Sequence, residues 1–306
     1  MNTFEDEEKI ISQTILQWLM CALTELKTKD FRGAISLSLH EDDFSKEQVL
    51  YYTFGLVIKD DELDLFRFPH LSVREFLETK DLYELPLCHA MAAVACIEGL
   101  YRSEQELSEG QCSCYSEFRQ GPRRTCPVQG PSHRFVMDYA FKHWPMHCKK
   151  AGLRRKEGQL CLMLQNLVLK KSSLFHYWSK NIGARCEFFW DGEHLGDFSC
   201  VECNPPDPAF AVCIFGFDEL LDRLFDDDHF TAGSTNNNGE TLLYVASLHA
   251  RDSIVQKLLD HGCDVDGQLA LQAAARTRNS SMLQMLLDHG ANVDTMSDKG
   301  ETALHM

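Results

Sequence analysis

The sequence has no long apolar run. Its longest stretch without Asp, Glu, Lys or Arg extends only from Ile10 to Thr24 and includes polar residues such as Gln13 and Gln17. A transmembrane helix needs about 20 predominantly apolar residues, so we expect no membrane span and no membrane partner. The first residues, Met1 to Lys9, are acidic and unlike a secretory signal peptide.

Basic residues are also few. The chain has 30 Lys and Arg against 46 Asp and Glu, a formal net charge of −16, which argues against a general attraction to nucleic acid. The charge is unevenly distributed, because residues 1–87 carry −9, residues 88–185 carry +8 and residues 186–306 carry −15. This distribution suggests three units, and the 44% of hydrophobic residues is enough to form a core in each.

The 13 cysteines do not form the paired spacing of a disulfide-rich secreted domain. We therefore expect reduced thiols and a cytoplasmic location, with the nucleus as an alternative. One group, Cys186, His194, Cys200 and Cys203, offers four zinc ligands but contains only a single Cys-x-x-Cys pair. The sequence leaves zinc at these four residues open, and our prediction is that the chain binds no metal.

The N-terminal segment 1–82 combines helices with a short hairpin. Apolar residues recur at helical spacing from Ile10 to Leu26, and Ser45 with Gln48 has the pattern of a capping box that starts a helix. Two β-prone runs, Gly55 to Lys59 and Leu63 to Phe68, flank an acidic turn, and a second capping box is predicted at Ser72. This order predicts a winged-helix domain with a small β-hairpin wing over 1–82.

Residues 83–204 are predicted to be a helical linker region. A helix is expected from Leu87 to Leu100, and the Gly- and Pro-rich stretch 103–133 is expected to be a mobile loop. Further helices are expected at Phe135 to Trp144 and around Gly158 to Lys171.

The last third contains a repeat. The motif Leu258-Leu-Asp-His-Gly262 recurs as Leu286-Leu-Asp-His-Gly290, and Gly239-Glu-Thr241 recurs as Gly300-Glu-Thr302. The offsets of these two recurrences differ by about 33 residues, which is the period of the ankyrin repeat. We therefore expect about three ankyrin repeats and a truncated fourth over 205–306, and a mainly α chain that ends in an ankyrin-repeat solenoid.

Several segments match known families. Thr241-Leu-Leu-Tyr244 and Thr302-Ala-Leu-His305 resemble the ankyrin consensus. Phe66-Arg-Phe-Pro-His-Leu-Ser-Val-Arg-Glu-Phe-Leu77 resembles the end of the winged helix of fungal NACHT-ankyrin (NLR-like) proteins, and His89, Tyr139-Ala140 and His147 are similar to that pattern. The resemblance implies the C-terminal part of a signalling or innate-recognition protein.

The chain departs from this family in having no Gly-x-x-x-x-Gly-Lys-Ser/Thr motif, so nucleotide hydrolysis is not expected. We predict that the chain is not an enzyme and has no cofactor. The resemblance implies that His70 faces nucleotide only where an NTPase domain is present; the alternative is a histidine that bonds the nearby backbone at a helix start. Because the chain begins near the winged helix and stops inside a repeat, we expect a fragment or shortened product, or an end that a partner covers.

The alternative function is a winged-helix nucleic-acid-binding regulator. It would depend on the basic run of Lys149, Lys150, Arg154, Arg155 and Lys156, for which the simpler explanation is a solvated helix end. The acidic residues of the hairpin region oppose DNA binding. For His143 and His147, packing between linker helices is favoured over a metal site, because Pro145 lies between them.

The predicted function is therefore non-enzymatic protein–protein interaction through the concave face and fingers of the ankyrin array. The acidic last third favours a basic partner, and the oligomeric state is left open. The residues predicted to contact the partner are Asn236, Asn238, Tyr244, Leu248, Asp266, Arg276, Met296 and Asp298.

Overall fold

The protein is mainly helical and divides into two compact units, Met1–Met163 and Leu164–Met306. A computed structural model describes residues 3–41, 44–108, 135, 139–169, 172–182, 207–226, 230–265, 269–297 and 299–306. The predicted domain boundary after residue 82 falls inside unit 1, where the following helix packs on the first two. The boundary predicted after residue 204 lies outside the described residues.

Unit 1 contains seven α-helices and one hairpin among its described residues. These are α1 (Thr3–Cys21), α2 (Thr28–Leu39), α3 (Lys46–Tyr52), β1 (Ile58–Asp60), β2 (Leu65–Arg67), α4 (Leu71–Glu78), α5 (Leu85–Ser108), α6 (Phe141–Lys150) and α7 (Gly158–Leu164), whose last residue opens unit 2, with 3-10 turns at Asp81–Tyr83 and Gly152–Lys156.

Helix α1 presents its apolar face to the core, with Ile15 and Trp18 fully buried. It ends at Cys21, earlier than the predicted Leu26. The backbone N–H of Leu23 donates at 2.9 Å to the Tyr139 hydroxyl, so this amide bonds to the segment that leads into α6 rather than to the preceding helical turn.

The capping box that starts α3 is confirmed. Gln48 N donates to Ser45 Oγ at 3.1 Å, and Ser45 N donates to Gln48 Oε1 at 2.8 Å. The hairpin is also confirmed, with Lys59 opposite Phe66 in an antiparallel pair, although its strands are shorter than the predicted runs.

The capping box predicted at Ser72 is wrong. Helix α4 begins at Leu71, and its N-cap is His70, whose Nδ1 accepts from Ser72 N at 3.1 Å. Ser72 therefore lies inside the first turn. The imidazole nitrogen of His70 satisfies the helix end that the Ser72 hydroxyl was expected to satisfy.

Helix α5 continues to Ser108 and so overruns the predicted start of the mobile loop at 103. The sequence Ser103-Glu-Gln-Glu-Leu107 consists mostly of good helix formers, and Ser103 is buried. The rest of that predicted loop, 109–133, lies outside the described residues. Small buried residues such as Ala92 and Cys96 allow α5 to pack closely on α6, its main partner.

Helix α6 extends from Phe141 to Lys150 and contains Pro145, so it continues beyond the predicted end at Trp144. In the earlier part of the predicted helix, Phe135 is helical, and residues 136–138 lie outside the described residues. Tyr139 and Ala140 form part of a π turn, which loosens the backbone hydrogen-bond pattern ahead of the proline.

Unit 2 contains three helix pairs that follow one another along the chain. Its described elements are a π segment (Gln165–Leu169), α8 (Ser173–Ile182), α9 (Pro208–Phe215), α10 (Asp218–Phe225), α11 (Leu242–Leu248), α12 (Asp252–Asp260), α13 (Ala270–Arg276), α14 (Ser280–Asp288) and a 3-10 turn (Ala303–His305).

The repeated residues of unit 2 occupy matching places. Leu258 in α12 and Leu286 in α14 are both fully buried. Thr241 caps α11 by accepting from Tyr244 N at 3.2 Å, as the ankyrin pattern predicts. Helix α13 packs between α11 and the 3-10 turn. In α14, Met282 faces the neighbouring helices and is fully buried, whereas Leu287 is 38% exposed.

Candidate functional site

The predicted partner-contacting residues of unit 2 differ in accessibility. Tyr244 and Leu248 lie on α11 and are half-buried, whereas Arg276 at the end of α13 and Asn238 in a turn are exposed. Met296 is 64% exposed. These five residues come from first helices of the pairs and from the turns that connect them. Asp266 and Asp298 lie outside the described residues.

The prediction that Asn236 contacts a partner is wrong, because this residue is only 6% exposed. Its Oδ1 accepts from Asn238 N at 3.0 Å and from Glu240 N at 2.9 Å, while its Nδ2 donates to Glu240 Oε2 at 2.7 Å. The side chain therefore holds the turn before α11 and offers little surface to a partner.

The same turn recurs at Ser297, ahead of the 3-10 turn at Ala303–His305. Ser297 Oγ accepts from Lys299 N and Glu301 N, both at 3.3 Å, in the pattern of Asn236. The backbone bonds also match, because Asn236 N donates to Glu240 O and Ser297 N donates to Glu301 O. A short side-chain acceptor at this position is the shared requirement, which the sequence repeat alone did not reveal.

Polar contacts join each helix pair to the next. Arg251 donates from Nε and Nη2 to Ile214 O at 2.9 and 2.6 Å, and Lys257 forms an ion pair with Asp222 at 2.6 Å. Asn279 Nδ2 donates to Asp252 Oδ1 at 2.6 Å. These bonds, with the buried leucines, hold the pairs together and keep the first helices and turns at fixed positions.

The described surface of unit 2 carries many carboxylates. Exposed acidic residues are Asp222, Asp226, Asp260, Asp264, Asp288 and Asp294. Exposed basic residues are Arg223, Arg276, Arg278 and Lys299. The excess of negative charge predicted for this part of the chain therefore lies on its surface.

In unit 1, His70 is exposed and serves as the N-cap of α4. Its Nδ1 also lies 2.8 Å from Ser72 Oγ. These contacts correspond to the local backbone role that was the alternative to a nucleotide contact.

The basic run spans the end of α6 and the following 3-10 turn. Arg154 forms an ion pair with Glu84 at 3.1 Å. Arg155 is only 7% exposed, and its Nη1 donates to Gly152 O at 3.3 Å. Lys150 and Arg154 are the exposed members, so the run is not one continuous basic surface.

The four possible zinc ligands between Cys186 and Cys203 lie outside the described residues. His143 and His147 are buried in α6, as packing between the linker helices requires. The ring of His143 lies against Tyr139, with 4.4 Å between the ring centroids.

The core of unit 1 contains a polar cluster that sequence spacing did not indicate. Cys21 of α1, His89 of α5 and His147 of α6 are all buried, and their ligand atoms lie within 4.8 Å of one another. His89 Nδ1 is 2.9 Å from His147 Nδ1, and His147 Nε2 is 2.9 Å from the Tyr139 hydroxyl. The three residues are far apart in sequence, and only the packing of three helices brings them together.

Burial controls the ionisation of this cluster. It lowers the pKa of His89 to about 4 and holds the pKa of His147 well below its ordinary value. Burial likewise raises the pKa of the Cys21 thiol and of the Tyr139 hydroxyl well above their ordinary values. At neutral pH the imidazoles are therefore uncharged, with nitrogen lone pairs available.

Comparison with protein families identifies the repeats in unit 2. A protein-family model described as ankyrin repeats (3 copies) matches residues 254–306. A second family model, described as ankyrin repeat, matches residues 238–267. The search of curated proteins gave no match. Ankyrin repeats are thus found near the C-terminus of this chain, and they indicate a protein–protein interaction module with protein partners. Across the described residues, no helix has both the length and the apolarity to span a bilayer.

Proposed function

We propose that this chain is a non-catalytic interaction protein whose ankyrin repeats bind a partner through their first helices and connecting turns. The observation that carries the proposal is that some residues of unit 2 form its core while others remain exposed. Leu258 and Leu286 are buried in its core, while Arg276 and Met296 are exposed beside the turns. Stacked repeats leave these surfaces for recognition.

The charge of unit 2 fits a partner whose contact surface is basic. Exposed carboxylates outnumber exposed basic side chains on the described part of unit 2, and complementary charge steers association and sets specificity. The affinity is therefore expected to fall as the salt concentration rises.

The test is affinity capture with the full chain, followed by direct binding measurements on the captured protein. We compare the wild type with Arg276→Glu and with Arg223→Glu. Both variants reverse an exposed positive charge, but Arg276 ends the first helix α13 and Arg223 lies on the second helix α10. Binding that Arg276→Glu alone changes supports the proposal. Equal binding by all three chains would count against the predicted surface.

For the N-terminal segment, the finer proposal is a winged helix of the NACHT-ankyrin type, in a cytoplasmic signalling protein. Its first support is the element order, in which α1, α2 and α3 precede the hairpin. Its second is an isolated antiparallel bridge between Lys27 and Leu65, which adds a short third segment beside β2. The motif around His70 matches the same pattern.

Without the phosphate-binding motif, the chain is expected to bind no nucleotide. Isothermal titration of the full chain with ATP and Mg²⁺ should give no heat of binding. His40→Ala is the control, because it replaces another exposed histidine of unit 1. A micromolar ATP affinity that is lost in His70→Ala but kept in His40→Ala would instead assign nucleotide binding to unit 1.

A further inference from the structure

The buried cluster of unit 1 combines donors that suit a transition metal. It places Cys21 Sγ and one ring nitrogen each of His89 and His147 within 4.8 Å of one another. The Nδ1 atoms of the two histidines face each other at 2.9 Å. Each donor comes from a different helix. Among the residues that the structure describes, this is the one such group of His, Cys, Asp or Glu side chains.

In place of the sequence-based expectation of no metal, we propose that Cys21, His89 and His147 form a zinc site in the core of unit 1. Sulfur and nitrogen donors are those that zinc prefers. Three protein ligands with a water in the fourth position is the coordination found in catalytic zinc sites; here it is proposed as a metal-binding site, with no reaction assigned to it. No carboxylate belongs to the group, so the donor set favours zinc over calcium or magnesium.

The spacing of the two nitrogens is close to what zinc needs. Two nitrogens bonded tetrahedrally at about 2.0–2.1 Å lie about 3.4 Å apart. The observed separation of the two Nδ1 atoms is 2.9 Å, so a ring rotation that moves one nitrogen by about 0.5 Å brings this pair to the zinc distance. The Cys21 sulfur, within 4.8 Å of the ring nitrogens, would also have to move closer.

Tyr139 provides a hydrogen-bond partner for the second ring nitrogen of His147. Its hydroxyl lies 2.9 Å from His147 Nε2 and accepts from Leu23 N at 2.9 Å. With zinc on Nδ1, the proton of His147 resides on Nε2 and is donated to Tyr139. Such contacts fix the ring orientation and the tautomer, so Tyr139 acts as a positioning residue.

Zinc binding should release one proton from the cluster, as a count of its protons shows. Without metal, one of the two facing Nδ1 atoms carries a proton, which it donates to the other. On zinc binding this imidazole changes tautomer, with its proton moving to Nε2, and the Cys21 thiol loses its proton to form the Zn–S bond. One proton is therefore released to solvent for each zinc bound.

The experiment uses the full chain, purified without a metal-affinity step, and measures metal content by inductively coupled plasma mass spectrometry. We expect one zinc per chain after dialysis. Replacement by Co²⁺ should give a sulfur-to-cobalt charge-transfer band, which reports a thiolate ligand in the folded wild type without any mutation.

Cys21→Ser should lose the zinc and the band, and Tyr139→Phe should lower zinc affinity about 10-fold or more. The matched control is Cys213→Ser, which removes a fully buried thiol from unit 2 and should retain both. A folded wild type that holds no zinc and gives no thiolate band when cobalt is added would overturn the proposal and leave the cluster as a hydrogen-bonded network.

Discussion

At the scale of single residues, Asn236 shows how a side chain expected at an interface can be structural instead. Its Oδ1 is the acceptor for the backbone N–H groups of Asn238 and Glu240. Asn236→Ala leaves both without that acceptor, and we expect the free energy of unfolding of unit 2 to fall by about 1–3 kcal/mol.

Urea denaturation followed by circular dichroism measures this effect. Asn236→Ser should recover part of the loss, because Ser297 fills the equivalent position. Asn237→Ala, at the exposed neighbouring position, should change stability by less than about 0.5 kcal/mol. An equal loss in the Asn236 and Asn237 variants would contradict the structural role.

One of the two buried histidines of α6, His143, should make the stability of unit 1 depend on pH. Burial lowers the pKa of His143 to about 3, with a smaller effect of Lys142, whereas an unfolded histidine titrates near about 6.5. Below that pH the unfolded chain takes up a proton that the folded chain does not. The contribution of the neutral imidazole is therefore complete above about pH 7 and decreases as the pH falls toward about 3.

His143→Phe keeps an aromatic ring against Tyr139 and should reduce this pH dependence. Thermal unfolding between pH 7 and 4 measures it. His176→Phe, at an exposed position of unit 2, should leave the pH profile of unit 1 unchanged. A profile for His143→Phe that matches the wild type would show that this residue is not held neutral by folding.

Local sequence patterns predicted residue roles only where both partners are close in sequence. The Ser45 and Gln48 capping box could be predicted because its partners lie within one helical turn of each other. The pattern at Ser72 predicts the wrong cap, because the His70 imidazole occupies that helix end. The family resemblance singled out His89, Tyr139 and His147 as separate residues, but it did not indicate that they meet Cys21. Only the packing of three helices brings these residues together.

At the scale of secondary-structure elements, the junction between α9 and α12 is sensitive to added volume. Gly216 ends α9 with φ +77°, and a Cβ there would lie 3.1 Å from Arg251 Cδ. Gly262 has the same φ but has no atom within 4 Å of a Cβ. Both alanine substitutions incur a backbone cost of about 1–2 kcal/mol, and Gly216→Ala should cost about 1 kcal/mol more.

The comparison of these two variants by chemical denaturation isolates the contact with Arg251. In an Arg251→Ala background the difference between them should disappear. If it persists there, the packing of α9 against Arg251 is not its cause.

Several of the helices that the structure describes could be predicted from sequence patterns, but their ends could not. Helix α5 runs beyond the predicted Leu100, to Ser108, because its last residues have helical propensity that the nearby Gly and Pro residues obscured. Helix α1 stops before the predicted Leu26, and just beyond its end the amide of Leu23 bonds to Tyr139, which is distant in sequence. Ends fixed by such long-range contacts cannot be read from local periodicity.

At the scale of the whole molecule, the most informative part of the sequence was its internal repeat. The recurrence that involves Leu258 and Leu286 predicted the ankyrin repeats that the family models match. The structure divides into two compact units, and α5, which follows the predicted boundary after residue 82, packs on α1 and α2. The charge distribution that suggested three units carries no information on such packing. Composition records where charge lies along the chain and not which helices share a core.

The central claim is that the ankyrin repeats carry recognition through first helices and turns. Hydrogen exchange of the full chain, with and without a captured and purified partner, tests it most directly. We predict slower exchange in α11, in α13 and in the turn 235–241, with unchanged exchange in the second helices α10, α12 and α14. Protection confined to unit 1, or to those second helices, would contradict the claim.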